Sequence, residues 1–430
     1  MSGGKYTALS TAVQNIAARI EHELEQRARG DITELTLPLD EVDASLDYSV
    51  GGKNANLGEL RNVLDLPVPR GFAITIRAGN IFLLRTPGLF KSIYAQLRSV
   101  DAENPSSIHE ASRRLEELIL DAPVPETVAR ALFAEWDATF GDDKGVVTAL
   151  RSSAIAEDGV QSFAGQYHSI LGVTRDDLLL AFKKVVSSLF SSRALTYRAA
   201  HGYALDATGM GLCCLEMVRA KAAGVAFSRH PVDLRSNDVV VNGLWGLGEM
   251  VVDGSGTPDQ WQVSRATNRI TKTTLALKTT HLRLNRTADG HVESVLEPVP
   301  EDLRKVPCLS DAQARYLASV VLDVERHYQY PQDMEWAIDE EDQIMLLQTR
   351  PMGLDSTSDA QSAPVLRHLR PVLAGADVAA RGVGCGPVVP VGHGEDMTHF
   401  PEGGVMLLRH SCSTAMAAMR RAAAIVAETG

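Results

Sequence analysis

The residues most able to do chemistry lie in two early clusters and one late one. Gly51, Gly52 and Lys53 stand at the head of a helical pattern. Two glycines permit tight curvature and close backbone approach, Lys53 supplies a positive charge, and the following helix offers free N–H groups, a combination suited to phosphate. The spacing differs from G-x-x-x-x-G-K-[ST], and alone the same turn serves as an ordinary helix entry. Arg151 follows the apolar run 146–150 and precedes Ser152 and Ser153. A strand placed there delivers a bidentate fork to an oxyanion. The small-residue loop around Gly165, ending in Ser169, could fold its N–H groups over phosphates; the alternative is a polar turn with a solvated Arg.

The late cluster is Met334 to Asp339 followed by Gln343 to Arg350. It reads as a hairpin that, with its turn centred on 341–342, sets Glu335 opposite Gln348, with Arg350 on the face of Gln348. A carboxylate beside an amide oxygen suits Mg²⁺, and Arg350 could neutralise a transferred group; a charged edge hairpin is the alternative. Two weaker signals complete the set. Trp245 to Glu249 contains G-x-G, and Glu216, Met217 and Val218 end a strand able to offer amides to an adenine edge and Met217 to its face, although a strand Met also serves in a core.

The elements that must hold these residues follow from periodicity. An amphipathic stripe at Val13, Ile16, Ala17, Ile20 and Leu24 predicts an accessory helix over 11–29 stopped by Gly30. Ser107 and Glu110 have capping-box spacing, and helices are predicted over 126–139, 175–200 and 310–328. From 211 onward, short apolar runs punctuated by Gly, Pro, Asn and Asp predict sheet: 211–218, 224–228, 239–245, 260–263 and 270–277. The stretch 351–377, rich in Ser, Asp, Ala and Pro, reads as a linker. After it, 386–391, 405–408, a helix near 413–421 and 424–427 outline another α/β unit.

The chain has 430 residues, 45% hydrophobic and 22% charged, with net charge -12. That composition fits a protein with a real core, and the negative balance argues against nucleic acid as the main partner. No run of 18 apolar residues and no signal-peptide pattern is present, so no membrane partner and a cytoplasmic location are expected. The cysteines, at 213, 214, 308, 385 and 412, lack C-x-x-C spacing and are expected to be reduced thiols.

In order along the chain, VGGKNANLGEL (50–60), LPVPRGFAIT (66–75), ALRSSAIAEDGVQSFAGQYHSILGV (149–173), EMVRAKAAGVAFSRHP (216–231), WGLGE (245–249) and YPQDMEWAIDEEDQIMLLQTRPM (330–352) resemble the nucleotide-binding region of the phosphoenolpyruvate synthase and pyruvate phosphate dikinase family. The resemblance runs from about 46 to 352 and implies an α+β, ATP-grasp domain of two lobes. A partial α/β swivelling phosphohistidine domain follows it. It divides the chain into a helical extension (1–45), an ATP-grasp domain (46–355, lobes 46–205 and 206–355), a linker (356–377) and the incomplete swivelling domain (378–430).

Carried over residue by residue, the resemblance implies that Lys53 and Arg151 hold the triphosphate under a loop containing Gly165 and Ser169. Glu216 to Val218 border adenine, Glu335 and Gln348 bind Mg²⁺, and Arg350 contacts the phosphates. Arg151 and Arg350 are the implied catalytic residues. ATP is the implied substrate, pyruvate binds elsewhere, and the phosphate carrier is a histidine in a domain or separate chain beyond this sequence. The implied reaction is pyruvate, ATP and water giving phosphoenolpyruvate, AMP and phosphate. A rifampin-type dikinase and a non-catalytic nucleotide-binding partner protein are the alternatives. Two departures stand out: Leu215 replaces a usual Gln, making the purine contact less secure, and Arg70 replaces the second proline of Val-Pro-Pro-Gly, a change expected to touch only a loop.

Overall fold

The computed structural model describes residues 32–101, 104–141, 143, 145–154, 167–200, 209–231, 233, 235–287, 291–353, 384–391, 400–410, 416–419 and 421–429. The expected helix over 11–29 and most of the expected linker lie outside the described residues, as does Gly165. The chain divides into two compact units: one comprises 1–219, 284–294 and 345–350, the other 220–283, 295–344 and 351–430.

The first unit is built on a five-stranded antiparallel sheet. Its strands are β1 (Thr36–Pro38), β2 (Gly71–Ile74), β3 (Thr148–Ala154), β4 (Ser169–Val173) and β5 (Met210–Glu216), in the order β1-β2-β5-β3-β4. Helices α1 (Gly52–Asn62), α2 (Ile76–Arg85), α3 (Leu89–Arg98), α4 (Pro105–Asp121), α5 (Glu126–Phe140), α6 (Leu178–Ser187) and α7 (Ser192–Ala200) accompany it. On α5 the buried residues Val128, Leu132, Trp136 and Phe140 recur every fourth position, so one face enters the core. Gly141, at φ 68°, then ends the helix. Phe72, Phe82, Leu115 and Phe182, all fully buried, close the same core, each such side chain contributing roughly 1.5–3 kcal/mol.

Three expectations change in this unit. Asn104, rather than Ser107, caps α4: its side-chain oxygen accepts from the N–H groups of Ser106 and Ser107. Ser107 Oγ instead accepts from Asp101 N–H at 3.0 Å, and Glu110 pairs with Arg114. The long helix over 175–200 breaks at Ser188–Phe190 and resumes at Ser192. The expected division at 205/206 falls ahead of β5, which lies between β2 and β3 in the first unit's sheet. Local composition changes near 211, but the partners of β5 lie 56 to 144 positions upstream, from Ala154 with Met210 to Gly71 with Leu215.

In the second unit, β6 (Ala222–Phe227), β7 (Asp238–Trp245), β8 (Asp259–Ser264) and β9 (Ile270–Thr274) pair antiparallel in sequence order, and β12 (Gln332–Ile338) pairs with β6. The hairpin of β10 (Thr280–Arg286) and β11 (Val292–Pro298), of which residues 284–294 belong to the first unit, was not foreseen; its residues are mostly half-buried or exposed. Helix α8 (Asp311–Tyr328) starts with a capping box between Ser310 and Gln313 and buries Ala314, Leu317, Ala318, Val321 and Val324. Asp259 and Lys278 form an ion pair with both side chains fully buried. Beyond 384, β14 (Val388–Pro390), β15 (Val405–His410) and β16 (Ala424–Thr429) form a parallel three-stranded sheet, with Phe400, Met406, Leu408 and Ala418 as its small core.

Candidate nucleotide-binding site

The site grows from the start of α1. Gly51 takes φ 81°, and a Cβ there would lie 1.7 Å from the Ser153 carbonyl oxygen, so only glycine lets the turn press this closely on β3. Asn54, fully buried, fastens the turn. Its backbone N–H donates to Ser153 Oγ at 3.1 Å, and its Nδ2 donates to the carbonyls of Val50 at 2.7 Å and Leu212 at 3.0 Å. Asn54 lies within the glycine–lysine motif, and no role was expected of it. The signal was available, since a short polar side chain in the first turn of a helix hydrogen-bonds nearby backbone.

Lys53, immediately before Asn54 in the first turn of α1, is half-buried. Arg151 sits within β3 with Cys213 of β5 and Ser169 of β4 as its register partners. Burial raises the Cys213 thiol to about 11, against an opposing pull from the Arg151 and Lys53 charges. The start of α1, which carries Lys53, is tied to β3, which carries Arg151, by the Asn54 N–H on Ser153 Oγ.

Residues 345–350 of β13 (Ile344–Pro351) belong to the same unit. Arg151 donates from Nη1 to the Leu347 carbonyl at 3.1 Å and from Nη2 to Gln348 Oε1 at 2.7 Å. Asn56 Nδ2 reaches the Thr349 carbonyl at 3.1 Å. Gln348 is 4% exposed, so its amide oxygen is held in a sheltered place beside a guanidinium. The structure thus groups Lys53, Arg151, Ser169 and Gln348 within the first unit. Arg350 is half-buried on the same strand.

Glu335 lies on β12 in the second unit, half-buried, with Val225 of β6 as its register partner. The loop after β12 closes through the Asp339 N–H on the Gln343 carbonyl at 3.1 Å, with Asp342 at φ 62°. It is centred on residue 341, not on the 341–342 bond that the expected opposition of Glu335 and Gln348 requires. That opposition does not follow from the turn. Asp339 Oδ1 holds this loop, accepting from the N–H groups of both Glu341 and Gln343.

At the end of β5, Glu216 receives a two-pronged contact from Arg70, Nε to Oε2 at 2.8 Å and Nη2 to Oε1 at 3.0 Å. The Arg70 substitution therefore does more than reshape a loop. Met217 donates its N–H to the Val147 carbonyl at 2.9 Å, and its sulfur accepts from the Gly172 N–H at 3.3 Å. Val218 follows, half-buried. In the second unit, the loop after Trp245 is tied to β10 by the Leu247 N–H on the Leu282 carbonyl at 2.9 Å.

Among the described residues no three of His, Cys, Asp and Glu cluster as metal ligands, and no helix is long and apolar enough to cross a membrane.

Residues 47–370 match the family model described as pyruvate phosphate dikinase, AMP/ATP-binding domain. A probable phosphoenolpyruvate synthase of Staphylothermus marinus is 32% identical, over 91% of this chain and 51% of the relative. For the probable phosphoenolpyruvate synthase of Methanocaldococcus jannaschii the figures are 31%, 94% and 34%. For the phosphoenolpyruvate synthase of Escherichia coli they are 32%, 89% and 50%. The chain spans about half of the length of these relatives, and about a third in the Methanocaldococcus jannaschii case. With three quarters of its length matched and its motifs in family order, the chain belongs to the pyruvate phosphate dikinase AMP/ATP-binding domain family.

Proposed function

We propose that this chain binds Mg–ATP and activates it for phosphate transfer within a phosphoenolpyruvate synthase-type reaction. In that reaction pyruvate, ATP and water give phosphoenolpyruvate, AMP and phosphate through a histidine outside this sequence, with pyruvate bound elsewhere. The observation that carries the reading is the grouping of Lys53, Arg151 and the sheltered Gln348 in the first unit, with the start of α1 tied to β3 through Asn54 and Ser153 and with Arg151 on Gln348 Oε1. Phosphoryl transfer needs positioning and charge neutralisation more than a protein nucleophile, and this grouping supplies the cations.

In this reading Lys53 and Arg151 hold the triphosphate, Gly165 and Ser169 belong to the covering loop, and Arg350 offsets charge on the transferred group. Glu216, Met217 and Val218 border adenine. Glu335 and Gln348 would hold Mg²⁺, which would supply positive charge to offset that of the phosphates. The donor chemistry fits: both side chains offer hard oxygens, and Gln348 Oε1 spends one lone pair on Arg151 and keeps a second. The reading also includes an ATP-grasp fold of two lobes, a linker at 356–377, and a swivelling domain opening at 378. The parallel strands β14, β15 and β16 support the last of these. A cytoplasmic location goes with it.

Equilibrium titration with a fluorescent ATP analogue, with and without Mg²⁺, tests the reading. Micromolar binding that falls at least about tenfold in Arg151→Met, as expected for a lost charged hydrogen bond, supports it. No binding at millimolar nucleotide overturns it. Unchanged Mg²⁺ dependence in Glu335→Gln and Gln348→Leu removes the metal assignment alone.

A further inference from the structure

The departure from the family pattern at Arg70 has a structural counterpart. Gly71 brings β2 so close to β5 that a Cβ there would lie 2.4 Å from the Cys214 carbonyl oxygen. That approach sets the Arg70 backbone beside the end of β5, where its carbonyl accepts the Glu216 N–H at 2.8 Å. The guanidinium then turns back and grips both Glu216 oxygens, at 2.8 and 3.0 Å. Its other surface lies 5.7 Å from the centroid of the Phe140 ring, itself packed edge-on against Trp136 at 4.9 Å. The hydrogen bond to Glu216 raises the Arg70 pKa further, so this cation stays charged throughout. Neighbouring bonds hold the next residue: Met217 N–H on Val147, and Gly172 N–H on the Met217 sulfur.

We propose that Arg70 is a positioning residue for purine selection, a latch that fixes the end of β5 so that Glu216 to Val218 read the edge of a 6-aminopurine nucleotide. This rests on the reading that those three residues border adenine. The fork consumes one lone pair on each Glu216 oxygen and fixes the carboxylate in two dimensions, which a point charge could not do. An adenine edge presents a donor at its 6-amino group beside an acceptor at N1, and a 6-oxopurine reverses both. Discrimination between them depends on hydrogen-bonding groups held in place, because a mispaired buried polar group is heavily penalised. Phosphate contacts, supplied by Lys53 and Arg151, do not depend on Arg70. Loosening the latch should therefore blunt base discrimination and spare phosphate affinity.

The test uses the full chain and calorimetric titration with ATP, GTP and inorganic tripolyphosphate. Arg70→Met should weaken ATP about five- to tenfold and lower the ATP-to-GTP affinity ratio by a similar factor, with tripolyphosphate within about twofold of wild type. Arg70→Lys should fall between, and the charge-swapped double variant R70E/E216R should recover most of the ratio. An Arg70→Met protein that keeps both ATP affinity and the ratio overturns the latch. So does one that loses ATP and tripolyphosphate in equal measure, which marks a merely structural role. If wild type binds no ATP, the nucleotide reading fails first and takes the latch with it. If wild type binds and Arg70→Met is indistinguishable from it, only the latch fails.

Discussion

Two ion pairs, one in each unit, show how differently the same chemistry is used. In the second unit Asp259 and Lys278 are 2.7 Å apart with both side chains fully buried. In the first, Arg70 and Glu216 are 2.8 Å apart with side chains 50% and 30% exposed. Distance alone would rank them equal. The buried carboxylate, however, also accepts from the N–H groups of Ala276 at 2.8 Å and Cys308 at 3.0 Å, and Lys278 donates to the Ala276 carbonyl at 3.2 Å. Two segments are thereby fastened onto β8 through one charge. Such a pair is weak evidence of net stabilisation, yet removing one partner strands the other in a poor solvent. The exposed pair is screened and contributes up to about 1 kcal/mol, so its value lies in orientation.

The sharpest way to break this contrast is Asp259→Ala. It should cost about 3–5 kcal/mol in urea unfolding of the second unit, while the apolar pair D259L/K278M should recover most of that. Equal losses in both variants would mean that the hydrogen bonds to Ala276 and Cys308, and not the charges, hold the loop. A second comparison lies in the first unit. Gly51→Ala drives a Cβ into the Ser153 carbonyl at 1.7 Å and forbids φ 81°, so at least about 2 kcal/mol should be lost. Thermal melting and ATP titration of that variant should fall together, because the same turn presents Lys53.

The smallest effect comes from a pair of intermediate burial, Arg265 and Glu325, whose side chains are 16% and 13% exposed. Burial pushes the Glu325 carboxyl up. Hydrogen bonds from Arg265 and Ser228, with the charges of Arg265 and Arg229, outweigh that and leave its pKa below the ordinary 4.5. A depressed folded-state value means stabilisation that is present above pH 4.5 and lost as the pH falls through the folded pKa. Urea midpoints of wild type and Glu325→Gln should differ by on the order of 1 kcal/mol at pH 6 and converge toward pH 3. A constant difference across that range would rule out the titration of Glu325 as its source.

Much of this was legible in the residues. The helices over 126–139 and 310–328 appear within one or two positions, as α5 and α8, because apolar spacing and the Ser310–Gln313 cap are local signals. The strands from 210 to 274 also fall where alternation placed them. Where non-local pairing decides, the sequence was silent. Nothing near 210–216 says that β5 inserts between β2 and β3, or that Arg70 would meet Glu216 across 146 positions. The chemistry at Lys53, Arg151 and Gln348 was readable from residue type. Their shared unit, with Arg151 on Gln348, was not, since it depends on residues 345–350 belonging to the first unit.

The buried thiols have a practical consequence. Cys213 and Cys214 are fully enclosed in the first unit and Cys308 is 5% exposed in the second, all with pKa values pushed upward by burial. Alkylating reagents attack thiolates, so these sulfurs react only when the structure around them opens. Pulse labelling followed by peptide mass analysis would then clock the opening of each half of the chain separately, with exposed Cys385 marking time zero.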